Sequence, residues 1–253
     1  MFFNKMELNN RTRSVAKKLI FFLAVVFFLI SLVYALRAFP TSLNELRLKP
    51  MLVVAFFGVP VMLLLNSTEY WLSAVFHGKR PSLRDSVEIT IISRAANMLP
   101  LPGGTIARVA ALKSLGVNVK DGVSINLLLA FMWLGLSLVY SAVWMWSIID
   151  SRYILYFFGL GFFILVPATV YLFQRSRDFK FVFLFIGTKT LSLIVDSTKI
   201  LFCFYALGVS ASFAQSSSLS VSGVLGSAVS IVPAGLGVRE ATASLLATMV
   251  GLS

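Results

Sequence analysis

The stretch LPLPGGTIARVAA, from Leu99 to Ala111, follows an apolar segment that is too short to cross a lipid bilayer. That segment, residues 89–99, has 11 residues and contains Arg94, whereas a membrane-spanning helix needs about 20 apolar residues. Prolines and glycines, which interrupt a helix, follow the segment directly. We therefore expect a re-entrant segment, which enters the membrane, breaks at Pro102 and turns back.

A second stretch, IVPAGLGVREA, from Ile231 to Ala241, has the same organisation. It follows residues 219–232, an uncharged apolar segment of only 14 residues that is rich in serine and glycine. Both stretches contain the pattern Pro-x-Gly-x-x-x-Arg, in which Arg108 corresponds to Arg239. Short apolar segments that are broken by Gly and Pro at matching places in two halves of a chain indicate a transporter binding site.

The composition and the apolar blocks indicate a membrane protein. Hydrophobic residues make up 58% and charged residues 13% of the 253 residues, compared with about half and about a quarter in soluble domains. Five blocks are long enough to cross a bilayer: residues 19–36, 51–76, 123–149, 153–173 and 181–209. The sequence therefore predicts an all-α polytopic membrane protein. A single transmembrane domain over residues 1–253 would contain about five full transmembrane helices and two re-entrant hairpins.

The basic residues predict the orientation of this domain. If residues 89–115 form a re-entrant hairpin, thirteen of the 22 Lys and Arg residues lie on the cytoplasmic side and four lie outside. The counts become nine and eight if residues 89–99 cross the bilayer, and the bias disappears. Because cytoplasmic loops are enriched in Lys and Arg, we expect residues 89–115 to form the hairpin and the basic segment at residues 1–18 to lie in the cytoplasm. The two broken segments would then enter the membrane from opposite faces, as in an inverted repeat.

The two breaks predict a site for anions at membrane depth. A helix that begins just after Pro102 or Pro233 directs free backbone N–H groups toward the turn, where they attract an anion. We expect the helix after the first break to begin at about Thr105, with Arg108 one turn further in to bind a phosphate or carboxylate. The residues predicted to bind substrate around the two breaks are Arg94, Asn97, Gly103, Gly104, Arg108, Gly235, Gly237, Arg239 and Glu240.

The last long apolar block carries three charges on one face of its helix. Lys189, Asp196 and Lys199 fall within about 80° of one another on a helical wheel, and charges inside membranes are costly and usually functional. We include all three in the predicted binding site. The simpler alternative is an ion pair of Asp196 with Lys199 that only holds helices together. Glu69, in residues 51–76, is expected either to reach the membrane surface or to meet one of the basic residues.

Enzymatic and metal chemistry have little support in the sequence. The single histidine, His77, lies in a basic loop, and the single cysteine, Cys203, is expected to be a small buried apolar side chain. No Ser/His/Asp set, catalytic carboxylate pair or metal-ligand cluster is evident, so we predict a non-enzyme without metal or cofactor. The net charge of +12 is explained by basic loops that set the orientation of the protein in the membrane and that contact anionic lipids. We therefore do not expect nucleic acid as a partner.

Both broken stretches also resemble a known family. The segments NMLPLPGGTIARVAALKSLGV and VPAGLGVREA are similar to the hallmark segments of the flippase-like transmembrane domain of lysylphosphatidylglycerol synthases and their stand-alone relatives. The resemblance extends from about Met51 onward. In that family a Gly-Glu step commonly precedes the first arginine, whereas no acidic residue lies between Gly104 and Arg108 here.

The resemblance implies a multi-pass, lipid-translocating domain in the cytoplasmic (inner) membrane of a prokaryotic cell. It also implies that Arg108, Arg239 and Glu240 are functional. Two functions follow as expectations. The first is a flippase-like transporter of an anionic membrane lipid or of a polyprenyl-phosphate-linked glycan. The second is a non-transporting membrane subunit that holds a glycosyltransferase or another envelope-assembly enzyme. Charges at membrane depth favour transport, because a scaffold does not require them.

Overall fold

The computed structural model describes residues 46–97, 103–149, 152–176, 178–228 and 238–252. All regular elements within these ranges are helices, as the sequence predicts. Several sequence predictions lie outside the described residues: the first span at residues 19–36, the basic segment 1–18, both helix-breaking prolines Pro102 and Pro233, and the glycines Gly235 and Gly237.

Eight helices follow one another in the described residues. They are α1 Leu48–Phe76, α2 Leu83–Ala96, α3 Gly103–Ser114, α4 Val119–Met145, α5 Arg152–Ser176, α6 Phe179–Ala206, α7 Phe213–Ala228 and α8 Val238–Met249. Three of these, α1, α4 and α5, are long and apolar enough to cross a membrane. They correspond to three of the five predicted spans, with ends shifted by a few residues. A further predicted span, residues 181–209, corresponds to α6, which has 28 residues. That α6 crosses the membrane stays a prediction.

The two short segments form helices that are longer than predicted. In α2, Ser82 and Asp85 form a capping box: the Asp85 N–H donates to Ser82 Oγ at 3.1 Å, and the Ser82 N–H donates to Asp85 Oδ2 at 3.3 Å. This cap starts the helix before the apolar residues begin, so α2 has 14 residues. The second short segment, α7, has 16. Helices α2 and α3 pack against each other, and their entry into the membrane as a re-entrant hairpin stays a prediction.

A π-helical turn interrupts α1 at Val54–Gly58. Pro60 lies two residues after the turn and has no N–H to donate to the carbonyl of Phe56, so the regular α-helical pattern cannot continue through this point. Gly58, the last residue of the turn, lies against the side chain of Lys199 on α6. A β-carbon at Gly58 would be 2.8 Å from Cγ of Lys199. The glycine therefore allows a charged side chain of α6 to pass close to the α1 backbone.

Apolar side chains fill the interior of the bundle and also cover much of its outside. One interior cluster joins α1, α3, α4, α5 and α6 and includes Leu72, Leu112, Leu129, Leu172 and Phe185. On the outside, Phe56, Phe163 and Phe183 are among the most exposed side chains. This distribution indicates a membrane protein, because lipid tails accept apolar side chains that water would not.

Cys203 is exposed on α6, so the expectation that it is buried was wrong. The expectation equated an apolar run with burial inside the protein. That equation fails on a helix whose outer face is also apolar, because an apolar side chain can face either the protein interior or the lipid.

Helices α4 and α5 approach each other closely through two glycines. A β-carbon at Gly135 would lie 2.8 Å from the backbone nitrogen of Leu165 and 2.9 Å from the carbonyl oxygen of Gly161. Real β-carbons essentially never approach other atoms so closely. The absence of a side chain at Gly135 therefore sets the distance between these two helices.

We expect Gly135→Ala to lower the unfolding temperature of the protein in detergent micelles. The added methyl group forces α4 and α5 apart, and overpacking of this kind costs about 1–3 kcal/mol. The matched control is Gly159→Ala on α5, where no atom lies within 4 Å of the β-carbon position. Equal unfolding temperatures for the two variants would contradict the close approach of the helices.

Candidate functional site

Three charged side chains from three helices meet inside the bundle. Arg108 Nη1 of α3 donates to Glu69 Oε1 of α1 at 3.1 Å, and Lys189 Nζ of α6 donates to Glu69 Oε2 at 2.6 Å. Glu69 is 7% exposed and Lys189 2%, whereas the Arg108 side chain is 19% exposed. We call these three residues the Glu69 triad. Because one carboxylate faces two cations, the triad has a net charge of +1.

The inner face of α1 explains why Glu69 pairs with other helices. The neighbouring polar side chains form their hydrogen bonds with backbone carbonyls of α1 itself. Asn66 Nδ2 donates to the Met62 carbonyl at 2.5 Å, and Ser73 Oγ donates to the Glu69 carbonyl at 2.9 Å. A carboxylate only accepts hydrogen bonds, and the carbonyls one turn away have no donor to offer it. Glu69 must therefore find its donors on α3 and α6.

Aromatic rings enclose the ammonium group of Lys189. Its Nζ lies 4.2 Å from the centroid of the Trp133 ring and 5.9 Å from that of Phe185. The face of an indole ring attracts a cation, so Lys189 is held by the Glu69 carboxylate and by the indole of Trp133. Trp133 Nε1 is buried and has no hydrogen-bond partner in the described part of the chain. Lys189 is thus fixed deep inside the bundle and closed off from its surface.

The start of α3 differs from the prediction. The helix begins at Gly103, two residues before Thr105, and the Gly104 N–H donates to Asn97 Oδ1 at 2.8 Å. One N–H that was expected to face an anion is therefore occupied by a side chain from the end of α2. A β-carbon at Gly104 would collide with the Asn97 side chain. The Asn97 side chain therefore joins the end of α2 to the start of α3.

The charged stripe of α6 divides into two separate ion pairs. Lys189 pairs with Glu69 of another helix, whereas Lys199 Nζ donates to Asp196 Oδ1 at 2.7 Å within α6 itself. Asp196 and Lys199 are partly exposed. The three residues thus do not form one cluster: the simpler alternative, a local ion pair, describes Asp196 with Lys199, and Lys189 belongs to the triad.

The two remaining arginines of the predicted site are exposed. Arg94, on α2, is close enough to Arg108, Glu69 and Asp196 to interact with their charges. Arg239, on α8, packs against α7, where a β-carbon at Gly226 would be 2.8 Å from its Cβ. Neither arginine forms an ion pair with another described residue. Glu240 is exposed in the first turn of α8.

His77 lies just beyond the end of α1, beside a cleft of about 90 Å³ that Asp121 and Arg175 also line. Burial lowers the pKa of His77. Asp121 opposes this shift by raising the pKa, and Arg175 lowers it further. Because an unperturbed histidine has a pKa of about 6.5, a lowered pKa leaves the ring uncharged at pH 7. His77 therefore adds no positive charge to this end of the bundle at neutral pH.

Two residues of the site were absent from the predicted substrate-binding set. Glu69 could have been included, because a lone carboxylate in an apolar span is a functional signal in itself. Trp133 could not, because nothing in a single sequence distinguishes a tryptophan over a buried lysine from one at the membrane surface. Its position depends on how α4 rotates against α6.

Among the described residues, no group of three or more His, Cys, Asp or Glu side chains could hold a metal ion. Comparison of the chain with models of known protein families, with curated proteins and with solved structures finds no match. The Glu69 triad is therefore the feature from which a function can be inferred.

Proposed function

We propose that the protein is a flippase-like membrane transporter that moves an anionic lipid or a polyprenyl-phosphate-linked glycan across the membrane. The observation that carries the proposal is the Glu69 triad. Two cations and a carboxylate from α1, α3 and α6 meet inside a bundle whose outer surface is apolar. Ionised groups within membranes are costly and are found mainly along the paths of substrates or ions.

The charges around Arg108 favour an anionic headgroup. Arg108 donates to Glu69 through Nη1 and has no other hydrogen-bond partner among the described residues, so part of its planar fork is free. Arg94 lies nearby as a second cation without an ion-pair partner in the described residues. Because a guanidinium group binds phosphate through two parallel hydrogen bonds, the Arg108 fork suits a phosphate headgroup.

In this proposal α6 crosses the membrane together with α1, α4 and α5. Helices α2 and α3 form a re-entrant hairpin from the cytoplasmic side, and α7 and α8 form one from the other side. Three observations support this arrangement: the excess of basic residues in the loops assigned to the cytoplasm, the short lengths of α2 and α7, and the resemblance to the flippase-like domain of lysylphosphatidylglycerol synthases. The N-terminus would then lie in the cytoplasm.

Arg108→Gln tests the proposal. Liposomes that contain the purified protein and a fluorescent phosphatidylglycerol report lipid movement between leaflets through quenching by dithionite, which does not cross the bilayer. We expect Arg108→Gln to reduce the rate to that of protein-free liposomes, because glutamine keeps a polar group but loses the charge and the fork. The matched control is Arg84→Gln, which removes an exposed arginine of α2 and should leave the rate unchanged. Wild-type activity in Arg108→Gln would refute the proposal.

The second candidate, a non-transporting subunit that holds a glycosyltransferase or another envelope enzyme, is favoured by one observation. Glu69 already pairs with both Arg108 and Lys189. Such a network can have a purely structural role, in which it joins three helices and binds no substrate. A scaffold of this kind would give no lipid movement even as wild-type protein. Its Arg108→Gln variant would lose thermal stability and copurify with less of the enzyme that it holds.

A further inference from the structure

We propose that Glu69 is an internal competitor of the transported headgroup. In the structure its carboxylate accepts from Nη1 of Arg108, which is one of the two donors that a headgroup phosphate takes when it binds the guanidinium group through two parallel hydrogen bonds. This inference rests on the proposed function. It adds to that function the residue that controls loading and the charge that the headgroup must carry.

The two contacts of Glu69 differ in how easily a ligand can reach them. The contact with Lys189 is short, at 2.6 Å, and lies beneath Trp133 on a lysine that is 2% exposed. The contact with Arg108 is longer, at 3.1 Å, and uses only Nη1 of a side chain that is 19% exposed. A ligand can therefore replace Glu69 on Arg108 while the contact with Lys189 stays in place.

Lys189 makes this exchange energetically feasible. A buried carboxylate that loses its partners is costly, because its charge is no longer compensated in a medium of low dielectric constant. When a phosphate takes Arg108, Glu69 still has Lys189 as its partner. In a simple pair of Glu69 with Arg108, the same exchange would leave the carboxylate alone. The second cation therefore allows Glu69 to release the first.

The charge balance indicates which headgroups can win this competition. Arg94 interacts with the charges of both Glu69 and Asp196, and Asp196 is paired with Lys199. Together with the Glu69 triad these residues give four cations against two carboxylates, so the site has a net charge of +2. A monoanion only replaces the Glu69 carboxylate on Arg108 with an equal charge, whereas a dianion also neutralises the site. We therefore expect preference for a phosphate monoester or a pyrophosphate diester over the phosphodiester of phosphatidylglycerol.

Binding of short-chain lipids to the purified full-length protein in detergent tests the inference. Isothermal titration calorimetry at pH 8, where a phosphate monoester is close to doubly charged, compares dihexanoyl phosphatidic acid with dihexanoyl phosphatidylglycerol. We expect wild type to bind phosphatidic acid about tenfold more tightly, because one extra unit charge interacts with the cations. Glu69→Gln should bind phosphatidylglycerol about tenfold more tightly than wild type, because the competing carboxylate is gone, and should keep the preference for phosphatidic acid, because the cations remain. Lys189→Met should bind both lipids more weakly, since Glu69 then has only Arg108 as its partner.

Two further variants separate competition from folding and from net charge. The double variant Glu69→Gln/Lys189→Met removes one charge of each sign and leaves no buried lysine without a carboxylate, and it should still bind phosphatidylglycerol more tightly than wild type. Asp121→Asn removes the same negative charge from an exposed pair with Arg175 and should change neither affinity. Unchanged or weaker binding of phosphatidylglycerol in both Glu69 variants would overturn the inference.

The outcomes also distinguish this inference from the proposed function. If Arg108→Gln abolishes lipid movement but both Glu69 variants bind as wild type does, transport stands and the competitor role of Glu69 fails. If the Glu69 variants bind more tightly but wild-type protein moves no lipid, Glu69 competes with an anion at a site that does not transport.

Discussion

Lys189→Met is expected to lower the free energy of unfolding by about 3 kcal/mol. The substitution keeps the length of the side chain but leaves Glu69, which is 7% exposed, with Arg108 as its only partner. Breaking a buried ion pair by removal of one member costs about 3–5 kcal/mol, and we expect the lower end because Arg108 still contacts the carboxylate. Thermal unfolding in detergent micelles, followed by circular dichroism, measures the loss.

Two comparisons assign this loss to the buried pair. Lys199→Met removes a lysine from the same helix, but its partner Asp196 is partly exposed, so we expect a much smaller effect. In Glu69→Leu/Lys189→Met both charges are gone, and an apolar pair replaces them, so stability should return toward that of wild type. If Lys189→Met and Lys199→Met lose equal stability, the buried triad contributes no more to the free energy of unfolding than the partly exposed pair.

Phe185→Ala is expected to destabilise the protein by about 3–5 kcal/mol. Phe185 is 1% exposed, belongs to the main apolar cluster and lies beside the ammonium group of Lys189. Its truncation removes buried apolar surface and leaves a cavity that the packed helices can fill only in part. The unfolding temperature in the same micelles measures the change.

The matched control lies two residues away on the same helix. Phe183 is 73% exposed, so Phe183→Ala exchanges an aromatic ring for a methyl group on the outer surface and creates no internal cavity. We expect it to retain nearly all of the stability of wild type. A loss as large as that of Phe185→Ala would mean that the outer face of α6 is covered by protein in the folded state.

The sequence predicts the long helices well because a bilayer leaves few alternatives. A long apolar block can satisfy its backbone hydrogen bonds in lipid only as a helix, so the predicted blocks match α1, α4, α5 and α6 closely. The errors lie at the ends, where polar caps decide. Asn118 Oδ1, for example, accepts from the Lys120 N–H at 3.2 Å and starts α4 at Val119, four residues before the apolar block begins.

The pairing of charges could be predicted only in part. Helical periodicity places Lys189, Asp196 and Lys199 near one face of α6, but it gives no information about which residues a neighbouring helix presents there. In the structure, Lys189 forms an ion pair with Glu69 of α1, and Lys199 forms one with Asp196 of its own helix. The turn at Gly104 shows the same limit, because its N–H was expected to be free and is capped by Asn97.

The wide separation of the triad along the chain has a consequence for membrane insertion during synthesis. Arg108 follows Glu69 by 39 residues and Lys189 follows it by 120. At about 5–20 residues per second, the ribosome needs on the order of ten seconds to make the lysine after the glutamate. An α1 that enters the lipid as it emerges must therefore carry a carboxylate whose deepest partner has not yet been made. The uncharged residues of α1 have to supply the whole free energy of its insertion.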